Sequence, residues 1–415
     1  MKSLSTLALT LSLTGALMAT AAEAKKKEEA APAVAPGARV FNFSKAARPL
    51  LATLQKAVIA KDAAGYAAAL APAQAAATTP DDKYTVAQLQ LKYALDTQNT
   101  AGQMAAIDAL IQSGGALPTE LPALYSNLAA MAINAKDNAK ASYAYERLLE
   151  LNPNDPTAIV NLSEIRNRQG RKAEGVQLLD RAIAAKQASG QVVDENWYKR
   201  AVGLSTDAKL TPQALKSTRD WIGAYPTQQN WRDGLSNYRY LTQLDTPAEL
   251  DRLRLMRAAG ALQGERSYLE YAEVAFAAGL PGESQAVLQE GIRARIVDAN
   301  KPAYKDLLQR SNVSAAKDKP TLGASEAKAS ASATGKLSQN LADAYLSYGD
   351  YAKAATLYRA AMTKGGVDAN LVNTRLGIAL AMSGDKAGAS TAFSAVTGPR
   401  QDLARFWTLW VSKRA

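Results

Sequence analysis

A repeat of 34 to 35 residues, each half patterned as a helix, constrains this chain more than any other feature. Leu124 to Asp155 carries apolar residues at helical spacing, breaks at Lys136-Asp137-Asn138, resumes, and closes on Leu151-Asn152-Pro153. Pro156 to Ser189 repeats the plan and breaks at Gln169-Gly170-Arg171, so that Asp137 and Arg171 stand 34 residues apart. Near the other end, Tyr348-Gly349-Asp350-Tyr351 and Ser383-Gly384-Asp385-Lys386 mark two more breaks 35 residues apart. A two-helix unit of this length cannot bury its apolar face alone, so such units stack on their neighbours.

The residues around the breaks are as regular as the spacing. Each first helix has an apolar residue followed by a small one: Leu128-Ala129, Leu162-Ser163, Leu341-Ala342 and Leu376-Gly377. Each second helix has a small residue, a large one four further on, then a small or apolar one. These are Ala141, Tyr145 and Leu148; Gly175, Leu179 and Ala182; Ala354, Tyr358 and Ala361; and Ala389, Phe393 and Val396. Small residues let two helices approach closely, and the large one fills the groove between hairpins. The pattern resembles the tetratricopeptide repeat family, with Pro153 where the family ends its second helix. It departs from the family in lacking the early Trp of the first helix and in placing Leu179 at the aromatic position. The resemblance implies an all-α fold, a right-handed α-solenoid of tetratricopeptide-like helical hairpins.

The clear repeats are 122–155 and 156–189, with a second pair beginning at 335. Between them, Tyr271-Ala272, Gly279-Leu280-Pro281-Gly282, Ser284, Leu288 and Gly291 read as a divergent unit. Ser44 to Lys61, Thr85 to Asp96 and Ala101 to Gln112 fit degenerate hairpins, and Trp197 to Ser205, Pro212 to Ala224, Trp231 to Leu241 and Pro247 to Leu262 fit further helices. The middle section resembles tetratricopeptide proteins of alphaproteobacteria in Asn230-Trp231-Arg232-Asp233, Arg254-Leu255-Met256-Arg257-Ala258-Ala259-Gly260 and Tyr268-Leu269-Glu270-Tyr271, which imports no function. The expected organisation is a solenoid over 44–316, a Ser/Ala/Lys-rich connector over 317–334, either loop or polar helix, and a terminal pair with its last helix over 335–415. Phe406, Trp407 and Trp410 on that last helix either cap the exposed groove of the terminal hairpin or dock a partner.

Composition closes most catalytic routes. The chain has no cysteine and no histidine, which removes thiol nucleophiles, imidazole bases, disulfides and the common transition-metal ligands. No phosphate loop, acidic calcium loop or nucleophile elbow is present, so no enzymatic activity and no cofactor or metal is expected. Residues 1–24 have the parts of a secretory signal: Lys2, an apolar run from Leu4 to Met18, and small residues around Ala22-Glu23-Ala24 or Ala19-Thr20-Ala21. The run is short for a membrane span. Residues 25–43 read as a flexible linker. These features predict a protein of the periplasm, without lipid anchor or further transmembrane segment.

Binding is the expected work, with a protein or peptide partner in the groove lined by first helices. Candidate groove residues are Asn127, Asn161, Glu164 and Arg168 in the first pair, and Asn340, Asp343 and Arg375 in the second. The family resemblance implies that Asn127, Asn161 and Asn340 bond the main chain of a bound peptide; the alternative is that they satisfy local helix backbone or water. Trp231, Arg232, Tyr238 and Tyr240 form a possible second surface, since aromatic and Arg side chains dominate interface hot spots; packing between divergent repeats is the other reading. The balance of 49 Lys+Arg against 38 Asp+Glu gives a net charge of +11. It is either an ordinary solvated surface or a means of binding an anionic envelope polymer such as peptidoglycan or polysaccharide. No nucleic-acid partner is expected.

Overall fold

A computed structural model describes residues 39–414. The expected signal segment and residues 25–38 of the expected linker lie outside the described residues. Residues 39–43 do not behave as a free linker. Arg39 lies 4.5 Å and 4.2 Å over the rings of Phe41 and Tyr84 and pairs with Asp81 at 3.2 Å, while the Asn42 amide donates to the same carboxylate.

Twenty-one α-helices and two short 3-10 turns make up the described residues. They are α1 (Ala47–Ala60), α2 (Ala63–Ala76), α3 (Pro80–Asp96), α4 (Thr100–Gln112), α5 (Leu121–Asn134), α6 (Asn138–Leu151), α7 (Pro156–Arg168), α8 (Lys172–Ala188), α9 (Glu195–Asp207), α10 (Thr211–Ala224) and α11 (Gln228–Leu241). There follow α12 (Thr246–Ala258), α13 (Gly264–Ala277), α14 (Pro281–Arg293), α15 (Pro302–Asp318), α16 (Leu322–Ala331), α17 (Lys336–Ser347), α18 (Tyr351–Lys364), α19 (Ala369–Ser383), α20 (Lys386–Ser394) and α21 (Gln401–Lys413). The fold is all-α and built of tetratricopeptide-like hairpins. No described helix is long and apolar enough to cross a membrane.

The breaks seen in the sequence are built alike. A residue in the left-handed region ends the first helix: Lys136, Gly170, Gly349 and Gly384 all have positive φ. At three of the four breaks an aspartate then caps the second helix, with Asp137, Asp350 and Asp385 accepting from the amides of Lys140, Lys353 and Gly388. Such a cap satisfies one of the four unpaired donors of a helix start and is worth about 1 kcal/mol.

Every small, large and apolar position that the repeat signature assigns within its helices is buried. The small residue of the first helix is there for close approach. A Cβ on Gly377 of α19 would stand 2.4 Å from Cε1 of Phe393 on α20, and that ring is fixed by stacking on Trp407 at 6.1 Å. Gly377→Ala is therefore expected to destabilise the protein by about 1–2 kcal/mol. Overpacking costs about 1–3 kcal/mol and better helix propensity returns up to about 1. Urea unfolding checks this, and an unchanged midpoint would mean that the hairpin has slack.

The chain divides into two compact units, Met1–Gly170 and Arg171–Ala415. In the first, α1 pairs with α2, α3 with α4 and α5 with α6, and α7 follows on α6. The boundary thus falls inside the expected 44–316 solenoid, at the break between α7 and α8 of the second repeat. Residues 317–334, expected as a connector, bring no break of their own: they form the end of α15, a turn and α16. On α16 only Leu322 and Ala329 are buried, as a polar helix requires.

The second unit folds back on itself. Its hairpins α9–α10, α13–α14, α17–α18 and α19–α20 run in sequence, but α21 lies against α10, α12 and α19, and α17 lies against α14. Helix α12 is the pivot: Leu250, Asp251, Arg252, Leu253, Arg254, Leu255 and Met256 are all buried, so it has no solvent face.

Candidate functional site

In the carboxy-terminal pair, the first helices are α17 and α19, and α21 stands where the next first helix would be. The face a groove would present is filled by the chain's own α12 and α14. Three guanidiniums and three carboxylates meet there. Arg254 of α12 makes a two-pronged bond to Glu283 of α14, at 2.8 Å and 2.6 Å, and a third to Asp251 at 2.8 Å. Asp251 also accepts from Arg375 of α19 at 3.3 Å and from Arg400 at 3.2 Å. Arg375 reaches Asp343 of α17 at 2.7 Å, and that carboxylate takes the Tyr358 hydroxyl at 2.5 Å. Tyr271 of α13 donates to Glu283 at 2.6 Å. Formal charge balances, and buried charges survive only when paired and hydrogen-bonded in this way.

Burial alone would push the Glu283 carboxyl up, but the Arg254 guanidinium outweighs it and holds Glu283 below the usual value. Burial would likewise pull Arg254 down, and the Glu283 and Asp251 carboxylates raise it instead. The tyrosines move the other way. Burial, reinforced by neighbouring carboxylates, raises Tyr271 and Tyr358 well above the ordinary phenol value, and burial raises Tyr238 to about 12. A phenol held neutral by the fold stabilises it below pH 10, and that contribution is lost as pH climbs from 10 towards 12. At pH 11 Tyr238 alone is expected to withdraw about 1.4 kcal/mol. Urea midpoints at pH 9 and 11 measure the loss, and Tyr238→Phe should reduce the difference.

The aromatic residues of α21 close this assembly. Trp407 donates from Nε1 to the Asp251 carbonyl at 3.3 Å, and Trp410 to the Ala258 carbonyl at 3.1 Å. Phe406 lies 5.4 Å from Tyr238 of α11, and Arg219 of α10 pairs with Asp402 at 2.7 Å. These rings therefore cover more than the terminal hairpin: they bind it to the middle of the same unit.

The remaining sequence candidates separate by placement. Arg375 is buried and Asp343 is bonded to it, so neither offers itself to a foreign peptide; Asn340 is exposed on α17. In the first unit, Asn127 donates to the carbonyl of Ala123 one turn back, at 2.9 Å, which is the local-backbone alternative. Asn161 is half-buried on α7, and Glu164 and Arg168 lie 3.8 Å apart on one face of that helix. On α11, Trp231 and Tyr238 point into the core, whereas Arg232 bonds Gln263 and Tyr240 is 79% exposed. The second surface thus keeps Arg232 and Tyr240, which line a shallow hollow of about 410 Å³ with Arg239 and Ser267.

A further concavity was not foreseen from the sequence. It is a cleft of about 950 Å³ in the second unit, between α8 and α10 on one side and the end of α20 with α21 on the other. Helix α21 turns its apolar stripe inward and leaves Gln401, Arg405, Thr408 and Ser412, at helical spacing, along one wall. The walls meet where a Cβ on Gly223 would stand 3.4 Å from Cδ1 of Leu409. Lys216, Arg219, Arg405 and Lys413 face the cleft together with Asp180 and Asp220; Lys216 pairs with Asp220 at 2.6 Å, and Arg219 and Arg405 pair with Asp402 at 2.7 Å and 3.4 Å, while burial raises the Asp180 carboxyl.

No protein-family model matches the sequence, and no curated protein does. Solved structures similar to this chain include a tetratricopeptide repeat protein from Parabacteroides merdae, at 12% identity over 71% of this chain and 100% of that one, with a TM-score of 0.25. Naa15/Naa10 bound to HypK-THB matches at 14% identity over 85% of this chain and 65% of that one, with a TM-score of 0.26. The tetratricopeptide domain of P58(IPK) matches at 10% identity over 80% and 97%, with a TM-score of 0.24. Superpositions this loose carry nothing about function, and the fold rests on the hairpins described above.

Proposed function

We propose that the protein is a non-catalytic scaffold of the bacterial periplasm that holds a helical segment of a partner protein in the cleft between α8, α10 and α21. The observation that carries this reading is the shape and lining of that cleft: a trough with an apolar floor of Ile183, Tyr198, Phe393 and Leu409, whose rim carries Lys216, Arg219, Arg405 and Lys413 beside Asp180 and Asp220. Residues of α8, α9, α10, α20 and α21 form it, and an amphipathic helix with an acidic flank towards Arg405 and Lys413 is its complement. The same unit already uses this mode internally, where Asp251 of α12 pairs with Arg375 of α19 and α14 lies against α17. Support for a non-catalytic role comes from the absence of Cys and His in the sequence and from the buried acids Asp251 and Glu283, which are committed to guanidiniums. The compartment rests on the pattern of residues 1–24.

A photoreactive residue placed in turn at Thr408, Asn127 and Tyr240 tests the reading in cells. The expected result is a discrete protein adduct from Thr408 that weakens when Arg405→Glu is added. Adducts only from Asn127 would transfer the site to the α5 and α7 face, and adducts only from Tyr240 would transfer it to α11.

A further inference from the structure

The self-filled groove of the second unit is not filled completely. A cavity of about 480 Å³ remains between α12 and α14 on one side and α17, α19 and α21 on the other. Its apolar wall is Leu346, Ile378, Met382 and Trp407, and the rings of Tyr271, Tyr348 and Tyr351 add flat aromatic surface. Its charged lining is three cations, Arg254, Arg257 and Lys319, against two carboxylates, Glu283 and Glu290. Arg254 is matched by Glu283 and Arg257 by Glu290, at 2.6 Å and 2.7 Å. Lys319 is left over. Its ammonium lies 5.5 Å from the centre of the Tyr348 ring, and the Tyr348 hydroxyl is turned away to Asp318 at 2.8 Å.

We infer that this cavity is a binding site for a small aromatic monoanion, with its rings against Met382, Tyr348 and Tyr351 and its acidic group at Lys319. The size falls in the range of small-molecule sites, which are mostly apolar with a few placed polar groups. Aromatic side chains and a thioether favour a flat, polarisable body, and one unmatched cation favours one negative charge. The ligand would touch both sides of the closure, so it binds the closed unit and stabilises it by mass action. The inference is independent of the partner cleft, which shares only α21 with this cavity and no lining residue.

The probe for the test is 8-anilinonaphthalene-1-sulfonate, an aromatic body with a single sulfonate, titrated into the folded protein at neutral pH. The expected result is one saturable site per chain with enhanced, blue-shifted emission and a raised Tm. Lys319→Glu should weaken it about tenfold or more, the effect of about 1.4 kcal/mol. Ala286→Phe, which places a ring in the cavity from α14, should abolish it; Met382→Trp serves the same purpose if that variant does not fold. Absence of a saturable site overturns the inference, as does binding that survives both Lys319→Glu and a folded cavity-filling variant. Tighter binding of linear decanoate than of the probe would overturn the aromatic class.

Discussion

Replacing Asp251 with alanine is expected to destabilise the second unit by about 3–5 kcal/mol, the cost of breaking a buried ion pair from one side. Asp251 is fully buried and accepts from Arg254, Arg375 and Arg400. Without it, Arg400 keeps its bond to Asp245 at 3.0 Å, Arg375 keeps Asp343 and Arg254 keeps Glu283. Each guanidinium therefore retains one anion, but three N–H donors, on Arg254, Arg375 and Arg400, lose their acceptor at a buried site. Urea unfolding followed by tryptophan emission measures the loss, because Trp407 is bonded to the Asp251 carbonyl. A loss below about 1 kcal/mol, the level of an exposed ion pair, would mean that water reaches the cluster.

Trp407→Ala should be as damaging for a different reason. The side chain is fully buried, stacks on Phe393 at 6.1 Å, and meets Trp410 edge-on at 5.5 Å. Large-to-small replacement of a buried aromatic costs about 3–5 kcal/mol through lost transfer energy and the cavity left behind. Here the cavity opens between α12 and α21, so the variant should also release the last helix, with faster proteolysis after Arg405. Trp407→Phe should keep most of the packing and lose mainly the hydrogen bond, an effect of about 1 kcal/mol. If both variants behave alike, the indole contributes chiefly through its donor, and the packing account of the closure is wrong.

What the sequence made legible was local. Breaks at Asp137, Asp350 and Asp385, with a left-handed residue before each, are short-range chemistry and appear in the structure as caps and turns. Helices α9 to α12 were also readable from their Pro and Gly boundaries. Helix α2 was not, because AAGYAAALAPAQAA has almost no polar face to give it a period and contains Pro72.

The site was far less legible, and the reason is distance along the chain. Asp251 and Arg375 are 124 positions apart and Asp251 and Arg400 are 149 apart. A polar residue on a first helix reads the same whether it awaits a foreign peptide or meets a helix of its own chain. That is why Asp343 and Arg375 looked like groove residues. One signal was present but unused: Asp251-Arg252-Leu253-Arg254-Leu255-Met256-Arg257 alternates charge and apolar residues all round a helix. A helix with apolar residues on every side is a buried one, and its charges then require buried partners.

The central claim, that the first-helix face of the carboxy-terminal repeats is occupied by α12 of the same unit, can be measured as a distance. The chain has no cysteine, so Ala259→Cys at the end of α12 and Ser412→Cys on α21 give two nitroxide labels and no others. Trp410 is bonded to the carbonyl of Ala258, which places the labelled positions close together. Double electron–electron resonance should return a single narrow distribution at the short end of the measurable range, unchanged by dilution. A broad distribution reaching to long distances would contradict the closure and return the carboxy-terminal groove to the solvent.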